Sequence, residues 1–385
     1  MPEPAPPAPP QPDAANARRY ASIRYRLLLL SLVLSAGFLA AVQWSGLSAH
    51  LARWWELRTP SQPLALLGYL AAFGSLQYLA MFPLHVYGSF MLEHRFGLSR
   101  MRLSAWLARE GKQVALSAML SAILLEALYA LLRHAPSTWP AWAALGWVLV
   151  SVVLARVFPT LLVPLFYKTA PLDREDLARR LLDLCRRAGT PALGVFRVGL
   201  GVETRKANAA LAGLGGTRRV LVSDTLLEQF TPEEIEGVLG HELAHHRFHH
   251  IRTMLVLAAA GAWLAFHATA WAGAQWVAAL GLRGLWDIAG LPVLMLWLSA
   301  LGLLALPLHN GISRMLEWQA DRYAVDITGR PQAVADALRR LAALNLADPD
   351  PPRWIVWLFY DHPPITERIT AAAARVPLAA GNHAG

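Results

Sequence analysis

Thr231-Pro232-Glu233-Glu234 and, further along, His241-Glu242-Leu243-Ala244-His245 read together as a helix built to hold a metal. Thr231 is a good N-cap, proline suits the first helical position, and Glu234 completes a capping box. The helix so started carries Ile235, Val238 and Leu239 toward the histidines. Four residues apart, His241 and His245 stand one above the other on one face, where two imidazoles can grip one Zn²⁺. Glu242, beside them, is placed as general base for a water that zinc acidifies. The five-residue pattern is short, and an ordinary exposed helix turn is its rival. The capped helix around it favours the metal.

Catalytic zinc keeps three protein ligands and an open position. The metzincin solution needs glycine at 248 and histidine at 251, and the chain has Phe248 and Ile251. A carboxylate from a second helix is the other common solution. Glu317-Trp318-Gln319-Ala320-Asp321 offers two acids at i and i+4, Glu317 as ligand and Asp321 as acceptor of a ligand histidine's far N–H. His246, His249 and His250 are read as histidines favoured near a helix C-terminus, not as ligands.

The chain has 385 residues, 55% hydrophobic and 16% charged, too apolar for a soluble enzyme of this size. Six segments, 27–42, 64–83, 114–132, 141–163, 254–280 and 291–308, approach the roughly 20 apolar residues a bilayer core demands. Pro159 and Pro164 break the end of the fourth. Arg18, Arg19, Arg24 and Arg26 precede the first span, Arg95 to Lys112 follow the second, and Lys168 to Arg187 follow the fourth. By the positive-inside rule these segments are cytoplasmic, and with six spans the zinc site is too. This topology absorbs the net charge of +9; no basic patch interleaved with aromatics calls for a nucleic-acid partner. Glu126, Arg156 and His267 fall inside spans, where charge is costly; a water-filled interior, or snorkelling for Arg156, would accommodate them. A single cysteine, Cys185, excludes an intrachain disulfide and a cysteine-rich metal cluster.

The expected organisation is a disordered proline-rich tail at 1–20 and a membrane domain of four spans at 21–168. A cytoplasmic α+β part at 169–252 holds the metal helix. The last two spans occupy 253–310, and a helical part with Glu317 occupies 311–385. Strands expected at 195–198, 206–211 and 219–222 would make a small antiparallel sheet. Asn208-Ala209-Ala210 is either an exposed edge that pairs with an extended substrate or an interior strand. His362 and Arg368, around a last short helix, are either donors to a developing oxyanion or a capped turn and a surface arginine.

These residues give the chain a family likeness. It resembles the Ste24 type of the M48 metallopeptidases, the type I CAAX prenyl proteases, over about residues 64 to 375. The likeness rests on Val238 to His245, Glu317 to Asp321, Thr217-Arg218-Arg219 leading to Ser223-Asp224-Thr225-Leu226-Leu227, Pro164-Leu165-Phe166 leading to Ala170-Pro171-Leu172, and His362-Pro363-Pro364 leading to Glu367-Arg368. It implies a mainly α polytopic bundle around a membrane chamber, suiting Glu126 and His267, with a gluzincin-type peptidase domain. It also implies one zinc per chain on His241, His245 and Glu317, with Glu242 as base and Asp321 behind the ligands. Asn208 and Ala209 would lie beside the substrate, and His362 and Arg368 would line the catalytic cavity. Eukaryotic members have seven spans and a long insert before the metal helix; this compact chain resembles bacterial members. An integral protein of a bacterial plasma membrane that cleaves membrane-associated or misfolded polypeptides is therefore expected ahead of CAAX processing. A zinc transporter or metallochaperone is the alternative, and it would have no need of Glu242.

Overall fold

The computed structural model describes residues 13–377 other than 158–160, 162, 202 and 214–217. Most of the proline-rich tail, Pro159 and Thr217 therefore lie outside the described residues.

Among the described residues, leucine-, alanine- and valine-rich runs fold into six helices long and apolar enough to cross a membrane. The first is α1 (Ala14–Trp44), capped by the Asp13 side chain accepting from the Asn16 N–H. Residues 14–20, expected in the tail, are thus helical. A short helix α2 (Leu47–Glu56), not anticipated from sequence, precedes α3 (Gln62–Val86), which runs through a π-helical turn into α4 (Leu92–Arg95). Next come α5 (Leu103–His134), α6 (Trp139–Val157) and the single turn α7 (Val163–Phe166). Leu30, Val33, Leu34, Met119, Ile123 and Leu149 face outward on these helices. Exposed apolar surface of that extent is suited to lipid, not water.

The peptidase part follows. β1 (Thr169–Pro171), α8 (Glu175–Arg187), β2 (Val195–Val198), β3 (Ala209–Ala212), β4 (Arg219–Ser223), α9 (Asp224–Gln229) and α10 (Pro232–Arg247) are contiguous in sequence. The sheet order is β1-β2-β4-β3. β2 and β4 run parallel with Val195 opposite Val220, and the other pairs are antiparallel. The expected antiparallel three-stranded sheet is therefore a mixed four-stranded one. The chain leaving β2 lays β3 at the far edge first, so β4 enters between them alongside β2. Leu177, Leu181, Leu184 and Cys185 of α8 pack on Val195, Val220 and Val222 of the sheet and on Ile235, Leu239 and Leu243 of α10. Each such side chain contributes about 1.5–3 kcal/mol of burial.

Two more spanning helices, α11 (His250–Ala279) and α12 (Leu291–Thr328), lead to α13 (Pro331–Asn345), α14 (Arg353–Phe359) and α15 (Ile365–Ala374). Pro307 removes one ladder hydrogen bond from α12 without ending it. At 1.5 Å per residue α12 is about 57 Å long, far more than the roughly 30 Å of hydrocarbon. Its last turns, which carry Glu317 and Asp321, project out of the bilayer toward α10.

Glycines set how close α10 lies to its neighbours. A Cβ on Gly240 would sit 3.2 Å from the Ala324 Cα of α12, and one on Gly237 would sit 3.1 Å from Val334 Cγ2 of α13. Glu234 fastens the same contact: it accepts from the Thr231 N–H at 2.7 Å and from Arg340 Nε of α13 at 2.9 and 3.0 Å. Both charges are buried, where losing one partner costs about 3–5 kcal/mol.

Cavities of about 530 Å³, between α1, α3 and α14, and about 400 Å³, around His85, Glu93 and Glu110, open among the helices. Glu126 and His267 line neither of these, contrary to expectation. His267 Nδ1 instead donates to the Trp263 carbonyl of its own helix.

Candidate active site

The capping box predicted at Thr231 is present, so α10 starts where it must to put His241 and His245 on one face. That face meets the end of α12. His241 Nε2 lies 3.2 Å from Glu317 Oε2, His245 Nε2 lies 3.4 Å from Glu317 Oε1, and the two Nε2 atoms are 3.2 Å apart. Zinc bonds of about 2.0–2.1 Å in a tetrahedron space ligand atoms about 3.3–3.4 Å apart. The triangle of side chains, with each nitrogen facing a different oxygen of the Glu317 carboxylate, has spacings that suit a zinc ion. Glu317 Oε2, buried, has no well-aligned hydrogen-bond donor among the described residues, as suits an oxygen kept for a cation.

The backs of the histidines are also held. His241 Nδ1 donates to Asp321 Oδ1 at 2.9 Å, which turns its Nε2 toward Glu317 and the metal position. Asp321 is in turn gripped by Arg368, Nε to Oδ2 at 2.7 Å and Nη2 to Oδ1 at 2.8 Å. Arg368 is 8% exposed, so the surface-arginine reading fails. With two donors on Asp321 it stands behind His241, and it also lines the cleft beside the ligands. His362, half exposed, brings Nε2 to 3.3 Å from Glu317 Oε2, and its Nδ1 donates to Asp361 at 2.8 Å.

Sequence reasoning set His250 aside, yet it is 2% exposed and within 3.1 Å of His245 Nδ1. His249 takes φ 58° between α10 and α11, a left-handed conformation that histidine tolerates better than most residues. This turns the chain so that α11 opens with His250 over the back of His245. No spacing rule would find it. His246 Nε2 donates to the Leu211 carbonyl of β3 at 2.9 Å, which ties that edge strand to the metal helix.

Beside the triangle lies a cleft of about 240 Å³, lined by Asn208, Ala209, Val334, Leu338 and Leu341 together with Glu242 and His362. Of the two readings of Asn208-Ala209-Ala210, the edge is the observed one, since β3 ends the sheet. Burial pushes the Glu242 carboxyl up, against the attraction of His241; a base near neutral pH transfers protons best. Burial pulls His241 down, but Asp321 and Glu317 outweigh it and hold the metal-free imidazole at about 9. Burial, with His241 alongside, takes His245 down to about 4.

A pH dependence of metal uptake follows from these two values. Below about 9 a proton occupies the His241 atom that zinc needs, whereas His245 is free above about 4. Zinc affinity should rise about tenfold per pH unit between pH 6 and 8, with about one proton released per ion. Calorimetric titration in buffers of different ionisation heat measures that number; zero protons released would rule the arrangement out.

The model for peptidase family M48 matches residues 171–376. The chain belongs to this family. The M48 domain is preceded by a match, over residues 1–168, to the CAAX prenyl protease N-terminal domain, described as having five membrane helices. The described residues there contain four helices of spanning length, with α2 too short to be a fifth. The uncharacterized metalloprotease YhfN of Bacillus subtilis is 26% identical over 364 residues, 94% of this chain and 85% of that protein. CAAX prenyl protease 1 of Saccharomyces cerevisiae is 25% identical over 337 residues, 83% and 74% of the two chains. The crystal structure of Ste24p from S. mikatae has the same fold, with a TM-score of 0.81, 23% identity, and coverage of 92% of this chain and 88% of that one. This M48 member is thus an integral membrane metalloprotease with a mainly helical fold, and the transporter alternative is set aside.

Proposed function

We propose that this chain is a zinc endopeptidase of a bacterial plasma membrane, with its active site on the cytoplasmic side and membrane-associated or misfolded polypeptides as substrates. Residues 21–168 and 253–310 serve as the membrane part, and 169–252 with 311–385 as the catalytic part. The observation that carries this reading is the convergence of the His241 and His245 Nε2 atoms, 3.2 Å apart, on the Glu317 carboxylate at 3.2 and 3.4 Å, with Glu242 beside them at a cleft. One zinc ion held there would supply Lewis acidity to a water and to a substrate carbonyl.

The protein's own groups do the rest. Glu242 takes the proton of the attacking water and returns it to the leaving amine. Asp321, steadied by Arg368, keeps the His241 proton on Nδ1. Burial lowers the His362 pKa, but Asp361 and the Glu317 charge more than offset it. At the cleft rim His362 donates to the developing oxyanion. An extended substrate adds to the sheet at Asn208 and Ala209, with a side chain against Val334, Leu338 and Leu341. The names of the yeast and other relatives favour CAAX-type C-terminal processing as a second reading; the near full-length match to the Bacillus metalloprotease supports the bacterial setting of the first.

Labelling tests the side of the membrane. Arg179→Cys, on the exposed face of α8, should react with a membrane-impermeant maleimide only after cells are opened. The native Cys185 gives no background, because it is buried and burial pushes its thiol up to about 11. Labelling in intact cells would put the site on the opposite side.

A further inference from the structure

We propose that His250 and Gln319 are positioning residues that fix which nitrogen of His245 faces the metal. The proposal rests on the zinc reading above. His250 Nε2 is 3.0 Å from Gln319 Oε1, and His250 Nδ1 is 3.1 Å from His245 Nδ1. A chain of two hydrogen bonds through neutral imidazoles runs in one direction or the other. If the Gln319 carbonyl accepts from His250 Nε2–H, then His250 Nδ1 is an acceptor and His245 must place its proton on Nδ1. His245 Nε2 is then bare, and it is this atom that lies 3.2 Å from His241 Nε2 and 3.4 Å from Glu317 Oε1. The opposite direction would put a proton on the ligating nitrogen. The observed triangle therefore selects the first.

The two ligands are held differently. Behind His241 stands a carboxylate with its own arginine; behind His245 stands a neutral imidazole ended by an amide. A formal charge is thus supplied on one side only, which fits a site that already gathers Glu242, Glu317 and Asp321. His250 is fixed for the role: it is buried, and its ring stacks on Phe248 with centroids 5.9 Å apart. Gln319 lies on α12 between Glu317 and Asp321, so one helix supplies a ligand and a member of each supporting arrangement.

The test uses the full chain in detergent, with zinc as the probe and a chromophoric chelator as competitor. His250→Ala should weaken zinc binding about 10–100-fold, the effect of removing an outer partner of a ligand. His250→Asn should recover most of the loss, because its Oδ1 falls where Nδ1 was and still accepts from His245. Gln319→Leu should weaken binding while Gln319→Glu, which keeps the acceptor, should not. Thermal unfolding of the metal-free variants controls for folding. Equal loss in His250→Ala and His250→Asn, or unchanged affinity in both His250→Ala and Gln319→Leu, overturns the proposal. A wild type that takes up no zinc overturns the zinc reading as well.

Discussion

Glu242→Gln should leave one zinc per chain and lower kcat for cleavage of an unfolded membrane protein by about 10²–10⁴-fold, the usual worth of a general base. The glutamine has nearly the same shape and lines the same cleft, so substrate should still bind. Its amide cannot take up the water's proton. None of the three ligand atoms belongs to this residue, and a buried neutral amide is easier to tolerate than a carboxylate, so the fold should be no weaker. Zinc content and initial cleavage rate on the same preparation are the measurements. Cleavage at the wild-type rate would remove Glu242 from the mechanism, and loss of zinc would mean that it acts as a ligand.

Glu317→Ala should abolish cleavage by a different route. The variant keeps two histidine nitrogens 3.2 Å apart and the buried Arg368–Asp321 pair, but it loses the carboxylate on which both nitrogens converge. Zinc affinity should fall by more than the 10–100-fold typical of outer partners, so that protein dialysed against a weak chelator carries almost none. Glu317→Asp should lie between the two, because one methylene fewer draws the carboxylate back from both histidines. Retention of tightly bound zinc by Glu317→Ala would show that the metal sits elsewhere. The two substitutions separate ligand from base, since both remove cleavage and only one removes zinc.

What the amino-acid order makes legible is what lies along one element. The capping box and both i,i+4 pairs follow from helix periodicity, so His241, His245, Glu317 and Asp321 can be read from the chain alone. So can the six spans and β2. What stays hidden depends on distant partners. Arg368 can be read as an oxyanion donor or a surface arginine but not as the partner of Asp321, 47 residues away, and His250 reads as a helix-end histidine because Gln319 is 69 residues away. β1 has three residues, including a proline, too few for alternation to register. The parallel pairing of β2 with β4 is a matter of chain path, which residue preferences do not carry. The continuity of α12 through Pro307 is similarly out of reach, since neighbouring helices determine whether a proline ends a helix.

The hairpin of α11 and α12 also has a bearing on how the protein is made. His245 leaves the ribosome about 70 residues before Glu317, an interval of roughly 4–14 seconds at 5–20 residues per second. During that time one long apolar segment must enter the bilayer and a second must return before the last ligand can reach the first two. A half-made chain therefore has no complete metal site, and cannot cut itself or the nascent proteins around it. Proteolytic competence arrives only with finished insertion, so the fold itself gives a newborn protease a delay.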